Sequence, residues 1–386
     1  MTHYLPAAGG GWQEESPGSG SDARHVTFTL TRTVPEHGTV LGGVRGAGTI
    51  RISPDGGETW TEASPGQGLQ VDVMVSVETV AGTQAKIVFP DGSTFILKAG
   101  TVVRLLSGGL QLTQGEVWLN VKKQGDTFEI ITPTWVCGVL GTEFQVTVAP
   151  GVKDEIALFA GQVEVTANAG GTVTLSPGQK VSCAPSGLGP VGSIGAFTDI
   201  DASTYKAAIL GMNQAGIVSG RQESSVWVFA PLETVKRAQF AKMVCGAMSI
   251  GVSEDSWLDS ARPFPDLEPD PLNDLYPHDY VAAASAAGII KGDNGRFKPY
   301  DSIYRIGVIL MVVRALDSLA PGTLDAVPAD FTSTVAGLSG EHAEAMSKAE
   351  YNHLTDGLAG FGPGWNAWDT ASRGEVAQML WNAMWR

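Results

Sequence analysis

Hydrophobic and polar residues alternate in short runs along much of the first half of the chain. Such runs occupy residues 71–80, 85–89, 94–97 and 102–106, and glycines or an Asp-Gly pair separate them. Alternation with a period of two places every second side chain on the same face of a strand, so that one face can be buried. Short strands at this spacing predict an all-β sandwich or roll from about residue 40 to residue 185.

The stretch Thr132–Phe144 is the corner of this predicted fold. Its sequence, TPTWVCGVLGTEF, sets Pro133, Gly138 and Gly141 among apolar and β-branched residues. Because glycine tolerates the backbone of a tight bend, the pattern predicts a strand, a bend and a second strand that begins at Thr142. None of these residues forms a recognisable catalytic constellation.

The N-terminal residues have a different composition. Residues 1–22 are rich in Gly, Ser, Pro and Glu, which predicts a flexible tail. A strand is predicted over residues 25–33, because Val26, Phe28 and Leu30 alternate with threonines. This strand can complete the sheet of its own domain, or it can add to the sheet edge of a neighbouring subunit.

The second half of the chain repeats itself about every 68 residues and carries the apolar runs of helices. Several runs end at a glycine suited to a left-handed C-cap, and a second run in each unit opens with an arginine. Three sets of residues recur at this period: Phe197, Phe264 and Phe331; Phe229, Phe297 and Trp365; Arg237, Arg305 and Arg373. Three copies of one supersecondary unit account for this register.

These patterns divide the chain into domains. The predicted parts are a tail (1–22), a β domain (23–184), a linker (185–196) and three helical units (197–262, 263–330 and 331–386). The linker is predicted from its Gly, Pro and Ser content.

The amino-acid composition excludes some classes of function. The 386 residues include 25 Lys and Arg against 40 Asp and Glu, which gives a formal net charge of -15. This balance argues against a broad nucleic-acid surface or a polybasic membrane contact, so an anionic ligand has to be met by locally placed cations. We find no apolar run long enough for a membrane helix and no signal peptide, so export implies that a signal was removed.

The three cysteines allow at most one internal disulfide. Cys137 lies at the bend and Cys183 lies on the predicted last strand of the same domain, so they can pair. The alternative is that Cys137, Cys183 and Cys245 are small buried hydrophobic residues.

Signatures of catalysis are missing from the sequence. The histidines lack metal-ligand spacing, and no nucleophile elbow, phosphate loop or dinucleotide fingerprint stands in a usable context. The acidic residues between Asp266 and Asp274 are interrupted by Pro269 and Pro271, which does not fit an EF-hand loop. We therefore predict a protein that is not an enzyme and that uses no cofactor or metal.

Five motifs in the first half resemble the FecR domain in order and spacing. They are FPDGSTFIL (89–97), LTQGEVWLNV (112–121), FEIITPTWVCGVLGTEFQV (128–146), LFAGQVEV (158–165) and LSPGQKV (175–181). The resemblance implies a FecR-like β fold. FecR regulators carry a cytoplasmic arm and a membrane helix ahead of this domain, and we find neither here. We therefore expect a spacer or protein-contact module in place of the signalling role.

The helical units resemble S-layer homology (SLH) repeats. The matching motifs are FTDI (197–200), GIVSG (216–220), FAP (229–231) and VKRAQFA (235–241); FPDL (264–267), GIIKGDNGRFKP (288–299) and IYRIG (303–307); and FTS (331–333) and ASRGEVA (371–377). The resemblance implies an α-helical SLH pseudo-trimer whose grooves hold a secondary cell-wall polysaccharide, commonly one that bears ketal-linked pyruvate.

An arginine at a helix start suits such a ligand. A guanidinium can make two parallel hydrogen bonds to a carboxylate, and the helix N-terminus adds a favourable field. The candidate glycan-binding residues are Arg237, Arg305, Arg373, Lys236, Asp199, Asp266 and Glu375. The alternative is that the arginines hold the interfaces between repeats together.

The units depart from the family pattern. The T-R-A-E motif is replaced at Lys236–Gln239 and Tyr304–Gly307, and only Ser372–Glu375 keeps a hydroxyl and an acid around the arginine. The third unit has no aspartate at the place of Asp199 and Asp266. We therefore expect fewer than three competent grooves.

Two functions remain. The first is a non-enzymatic, extracellular structural protein of the cell surface, whose SLH repeats bind a secondary cell-wall polysaccharide or a peptidoglycan-linked glycan while the FecR-like domain faces outward. The second is a self-assembling filament or surface-layer subunit, whose strand Val26–Leu30 inserts into the sheet of a neighbouring copy. Neither hypothesis requires nucleic acid or membrane insertion.

Overall fold

The structure is a computed structural model that describes residues 3–7, 11–15, 38–122, 128–195, 197–259, 263–267 and 274–386. The chain divides into two compact units, Met1–Pro35 and Glu36–Arg386. In the first unit, β1 (His3–Ala7) and β2 (Gly11–Glu15) form an antiparallel hairpin, so the predicted flexible tail contains paired strands. The predicted exchange strand with Val26, Phe28 and Leu30 lies outside the described residues.

The second unit begins with a large β region. Its strands are β3 (Val40–Arg45), β4 (Ile50–Ser53), β5 (Thr61–Glu62), β6 (Met74–Val77), β7 (Gln84–Val88), β8 (Thr94–Lys98), β9 (Val102–Leu106), β10 (Gly109–Val121), β11 (Phe128–Ile131), β12 (Trp135–Val139), β13 (Thr142–Ala149), β14 (Lys153–Ala160), β15 (Val163–Ala167), β16 (Thr172–Leu175), β17 (Gln179–Ala184), β18 (Gly187–Leu188) and β19 (Gly192–Ser193).

Strand β10 belongs to both sheets of this region. Its first half pairs with β9 and, in parallel, with β11, whereas its second half pairs with β8 and β13. The change follows an irregularity between Leu112 and Gln114, where an extra residue turns the strand. The sheets enclose an apolar core that includes Phe95, Trp135 and Phe144, each fully buried. The paired strands close into a barrel. The alternating pattern predicted an all-β region in the first half of the chain, and that region is present, but it closes where a sandwich or roll was expected.

The corner at Thr132–Phe144 has the predicted form. Strand β12 ends at Val139, Gly141 takes a positive φ of 66°, and β13 starts at Thr142. The side chain of Thr134 donates to Asp154 Oδ2 at 2.5 Å, and both groups are buried. This contact ties the corner to strand β14.

The cysteines are free and buried, so the disulfide that the sequence allowed between Cys137 and Cys183 is not formed. The two thiols lie on β12 and β17, which pair with other strands. Burial raises the pKa of the Cys245 thiol to about 12. The alternative expectation, three small buried hydrophobic residues, describes the structure.

The stretch predicted to be a linker contains strands. Within residues 185–196, β18 and β19 both pair with β17 and extend its sheet. Two of the glycines that suggested a linker, Gly187 and Gly192, are the first residues of these short strands, and the turn ahead of β18 is formed by Pro185 and Ser186.

The chain then becomes helical. The remaining elements are α1 (Lys206–Gln214), β20 (Arg221–Glu223), β21 (Val226–Val228), α2 (Arg237–Ala247), α3 (Asp255–Asp259), α4 (His278–Ala286), α5 (Arg305–Leu319), α6 (Gly340–Tyr351) and α7 (Arg373–Met384). None of the helices in the described ranges is long and apolar enough to cross a membrane.

The residues ahead of α2, α5 and α7 join the three segments 197–262, 263–330 and 331–386 in a ring. Single bridges link Thr234 to Ser372, Lys236 to Ser302 and Tyr304 to Thr370. The backbone N–H groups that open the helices donate to carbonyls of another segment: Arg237 to Asp301, Arg305 to Asp369 and Arg373 to Glu233. Each segment thus contacts both of the others near the N-terminus of its arginine-bearing helix.

The helices pack directly on the β region. Trp381 of α7 lies 5.5 Å from Trp118 and 5.6 Å from Phe159, measured between ring centroids, and these two rings stack on each other at 5.3 Å. Gly211 of α1 lies against the Trp381 ring, where an added Cβ would be 2.4 Å away. Both regions therefore share one buried cluster.

An arginine of the β region caps the end of α7. Arg45 is 8% exposed, and its Nη2 donates to the carbonyls of Ala383 and Arg386, both at 2.8 Å. A cation at the C-terminal end of a helix opposes the negative end of the helix dipole. Burial lowers the pKa of Arg45 to about 10.

Lys98 provides a test of this interface through pH. It lies 5.8 Å from the Trp118 ring and donates to Gln84 Oε1 at 2.9 Å, and burial lowers its pKa to about 8 from 10.5. Because the unfolded chain holds the proton more tightly, stability should rise between pH 8 and 10.5. We expect the free energy of unfolding of Lys98→Met to be about 1–3 kcal/mol higher than that of the wild type at pH 7. The increase in its stability between pH 8 and 10.5 should be smaller than in the wild type. Urea unfolding at several pH values measures both quantities. An equal slope of unfolding free energy against pH in the two proteins would contradict this prediction.

Candidate functional site

The three predicted arginines open three helices, and each lies over an aromatic ring of another segment. The guanidinium carbon of Arg237 is 5.0 Å from the Phe297 ring centroid, that of Arg305 is 4.8 Å from Trp365, and that of Arg373 is 4.5 Å from Phe229. Each contact combines cation–π attraction with burial of the ring edge. The arginines and aromatic residues that recur in the sequence are thus contact partners between segments.

Two of the arginines bond to the backbone beside the ring that they cover. Arg237 Nε donates to Phe297 O and Arg373 Nε donates to Phe229 O, both at 2.7 Å. Arg373 Nη2 also donates to Ser219 O at 2.8 Å. These contacts hold interfaces together, as the structural alternative for the arginines predicted.

Arg305 is compensated by acids within the protein. Its Nη2 lies 2.6 Å from Glu375 Oε1, its Nε donates to the same oxygen at 2.9 Å, and its Nη1 lies 3.1 Å from Asp369 Oδ2. The Arg305 and Glu375 side chains are 19% and 5% exposed. A guanidinium that already faces two carboxylates has little positive field left for an anionic ligand.

Arg237 keeps donors available. Its Nε is bonded, but neither Nη atom has a hydrogen-bond acceptor among the described residues, and no carboxylate is in ion-pair contact with it there. Burial lowers the pKa of Arg237, although it remains a cation at neutral pH. A half-buried guanidinium with open donors is suited to a carboxylate or phosphate group.

Asp199 and Asp266 are occupied by their own backbone. Asp199 accepts from the N–H groups of Phe229 and Ala230, and Asp266 accepts in the same way from Phe297 and Lys298, at 2.7–2.9 Å. Burial by itself would raise the pKa of Asp266, but these N–H groups bring it below its usual value. Both aspartates therefore position the loop that carries the stacked aromatic ring.

Glu375 and Lys236 lie at the starts of two different helices, α7 and α2. Glu375 Oε2 accepts from the backbone N–H of Ser372, and the Ser372 hydroxyl accepts from the N–H of Glu375, which forms a capping box at the start of α7. Lys236 precedes α2, and its Nζ lies 3.3 Å from the Ser302 hydroxyl. Of the seven predicted site residues, Asp199, Arg305 and Glu375 share one groove, and Lys236 and Arg237 share another.

That groove, the Arg237 groove, has a volume of about 770 Å³ and is lined by all three segments. Its basic residues are Lys236, Arg237, Lys291, Lys298 and Arg314. Lys298 pairs with Asp293 at 2.6 Å and Arg314 pairs with Glu341 at 2.7 Å. Lys236, Arg237 and Lys291 have no carboxylate in ion-pair contact among the described residues. Asp301 also lines the groove, and its charge, with those of Asp293 and Asp266, opposes the burial that lowers the pKa of Arg237. The five basic residues of the lining outnumber its three carboxylates, Asp293, Asp301 and Glu341, so the groove has an excess of positive charge in an acidic protein.

A second groove, the Arg305 groove, has a volume of about 580 Å³. Its lining includes Asp199, Arg305 and Glu375, so its one cation among the described lining residues lies beside acidic groups. The two grooves therefore differ in charge although they arise from equivalent positions of the sequence.

The sequence pattern also contained a feature that our interpretation missed. Leu232, Tyr300 and Trp368 recur at the period of 68 residues, and all three are exposed, by 86%, 68% and 49%. Tyr300 and Trp368 line the Arg237 groove together with Tyr304, whereas Leu232 lines the Arg305 groove. The shared spacing was a signal available in the sequence, but burial was needed to show that these residues face solvent.

Metal binding finds no support in the described residues, which contain no group of three or more His, Cys, Asp or Glu placed to hold an ion. The acidic residues near Asp266 lie partly outside the described ranges.

Comparison with known families gives two matches, and each covers less than half of the chain. The family described as FecR protein matches residues 75–164, and the S-layer homology domain matches residues 196–241 and 271–305. These are the regions in which we identified the two resemblances. The third SLH repeat has no such match and stays a prediction. No curated protein matches the chain.

Two solved structures are similar to part of the chain, and both are described as crystal structures of an anti-sigma factor candidate from Parabacteroides distasonis. The first is 24% identical with a TM-score of 0.28, and the match covers 31% of this chain and 59% of that one. The second is 17% identical with the same TM-score, and the match covers 40% and 96%. A similarity of this size carries no functional argument.

Proposed function

We propose that this protein attaches to the cell wall through its helical segments and that the Arg237 groove is the principal glycan site. The S-layer homology matches support the attachment of a surface protein to the cell wall. The observation that carries the choice of site is the contrast in charge: Arg237 has open Nη donors, whereas Arg305 is paired with Glu375 and Asp369.

The ligand in this proposal is an anionic secondary cell-wall polysaccharide. A carboxylate or phosphate substituent accepts from Arg237, and Lys236 and Lys291 add to the attraction. The roles of Asp199, Asp266 and Glu375 are to shape the loops and helix starts around the grooves. Arg305 and Arg373 hold segments together, and they complete a pseudo-threefold arrangement of three SLH units.

The β region is proposed to project from the wall as a rigid part of the anchor. Its direct packing on α1 and α7, with Trp118, Phe159 and Trp381 at the centre, supports this arrangement. Such a joint holds the β region at a fixed angle to the glycan site, where it can contact other surface proteins.

The test is binding to purified sacculi. We expect Arg237→Gln to bind about tenfold more weakly than the wild type, because it removes a charge-assisted pair of hydrogen bonds. Arg104→Gln is the matched control. It makes the same charge change on β9, at an exposed arginine whose ion-pair partner among the described residues is Asp72 at 3.4 Å, and it should bind as the wild type does.

The comparison is repeated with sacculi stripped of their secondary polymer, which should retain neither protein. Binding by Arg237→Gln that equals the wild type would exclude the Arg237 groove as the site. Unchanged binding by the triple variant Arg237→Ala, Arg305→Ala and Arg373→Ala would exclude all three grooves.

A further inference from the structure

Three aromatic side chains line the Arg237 groove. Tyr300, Tyr304 and Trp368 are 68%, 51% and 49% exposed, which is unusual for side chains of this size when they have no partner. Single exposed apolar residues need no explanation, but these three line the same groove. We infer from their exposure in one groove that a ligand covers them.

The rings form a corner. The Tyr304 and Trp368 centroids are 6.2 Å apart and the ring planes meet at 73°, so the rings present faces in two directions. His342 also packs against Trp368, with ring centroids 5.2 Å apart and planes at 61°, and this contact helps to hold the indole in place. A ligand that enters this corner meets a flat apolar face and a nearby phenol.

The polar groups around the corner match a sugar better than an apolar peptide. Ser302 and Thr370 place hydroxyl groups in the groove beside the uncompensated Lys236 and Lys291. A pyranose ring has one face of C–H groups and a rim of hydroxyls, so it can lie on an aromatic face while its rim makes hydrogen bonds. A groove of about 770 Å³ has room for a ligand larger than a single sugar residue.

We propose that Tyr304 and Trp368 stack against a pyranose ring adjacent to the anionic residue held by Arg237, so that the groove recognises a short oligosaccharide with one charged substituent. This inference rests on the proposed glycan function and adds the class of ligand. Tyr300 lines the same groove and is 68% exposed.

The Arg305 groove lacks this arrangement. Its lining has Leu232 at the position equivalent to Tyr300 and Trp368, and its tyrosine, Tyr205, is 6% exposed. Tyr205 is engaged elsewhere, because its hydroxyl accepts from the N–H of Ala359 at 3.1 Å. The aromatic corner and the excess of cations over carboxylates therefore occur together in the Arg237 groove.

The test uses calorimetric titration with oligosaccharides hydrolysed from the secondary polymer of sacculi of the bacterium that encodes the chain. We expect Trp368→Ala and Tyr304→Ala each to weaken binding about tenfold, and Trp368→Phe to recover most of the affinity because it keeps a stacking face. Leu232→Ala, at the equivalent position of the other groove, should leave binding unchanged.

Salt dependence separates stacking from charge. The aromatic variants should keep the wild-type slope of affinity against ionic strength, whereas Arg237→Gln should flatten it. Suppose that Trp368→Ala and Tyr304→Ala both bind with wild-type affinity while Arg237→Gln binds more weakly. That result would overturn the stacking inference but would still support the Arg237 groove as the glycan site. Failure of the wild-type protein to bind would overturn the proposed function and this inference with it.

Discussion

Replacing Trp381 by alanine should lower the free energy of unfolding by about 3–5 kcal/mol, the usual cost of removing a large aromatic side chain from a core. Trp381 is 3% exposed and lies between Trp118 and Phe159 of the β region and Trp385 of its own helix end. Its Nε1 also donates to Glu143 Oε2 at 3.1 Å, so the substitution removes a partly buried hydrogen bond as well.

The measurement is urea unfolding monitored by circular dichroism. Trp227→Ala is the matched control, because Trp227 is 46% exposed on β21 and should cost less than about 1 kcal/mol. The wild type should unfold in one transition in which the β region and the helices lose structure together, because they share a buried cluster. A Trp381→Ala protein as stable as the control would show that the shared core contributes little.

The second large effect is expected at Glu375. Glu375→Gln keeps a side chain that can cap α7 but removes the carboxylate 2.6 Å from Arg305 Nη2. Breaking a buried ion pair by removing one charge leaves the other desolvated, which costs about 3–5 kcal/mol in fully buried cases. Because Arg305 keeps Asp369 as a partner at 3.1 Å, we expect a loss of about 2–3 kcal/mol.

Glu341→Gln is the control for this pair. It breaks a contact of similar length, Arg314 Nη2 to Glu341 Oε2 at 2.7 Å, but Glu341 is 58% exposed, so the cost should stay below about 1 kcal/mol. Chemical unfolding of both variants at pH 7 gives the comparison. Equal losses would mean that burial does not distinguish the two pairs and would remove the reason for treating Arg305 as compensated.

The spacing of residues in the sequence predicted much of the candidate site. Arg237, Arg305 and Arg373 were found from their period, and the structure places all three at the first position of a helix. What the period could not show is the environment of each arginine. The partner of Arg305 is Glu375, which is 70 positions away, and the two meet because α5 and α7 start side by side in the ring.

Local patterns misled us where short strands resemble loops. The Gly and Pro content of residues 185–196 is compatible both with a linker and with the turns of β18 and β19, and pairing with β17 decides between them. Asp199 and Asp266 are candidate ligand contacts because they belong to the motifs FTDI and FPDL that resemble SLH repeats. In the structure their oxygens accept from backbone N–H groups about thirty positions away.

The sequence by itself determined an all-β region followed by repeated helical segments, because alternation and helical periodicity are local consequences of which side chains can be buried together. It also determined the positions of the three arginines. The tertiary structure alone decided that Arg237 is open while Arg305 is paired, that Tyr304 and Trp368 share a corner, and that Trp381 joins the helices to the sheet. These properties depend on residues 64 or more positions apart, whose distances are fixed only when the segments pack.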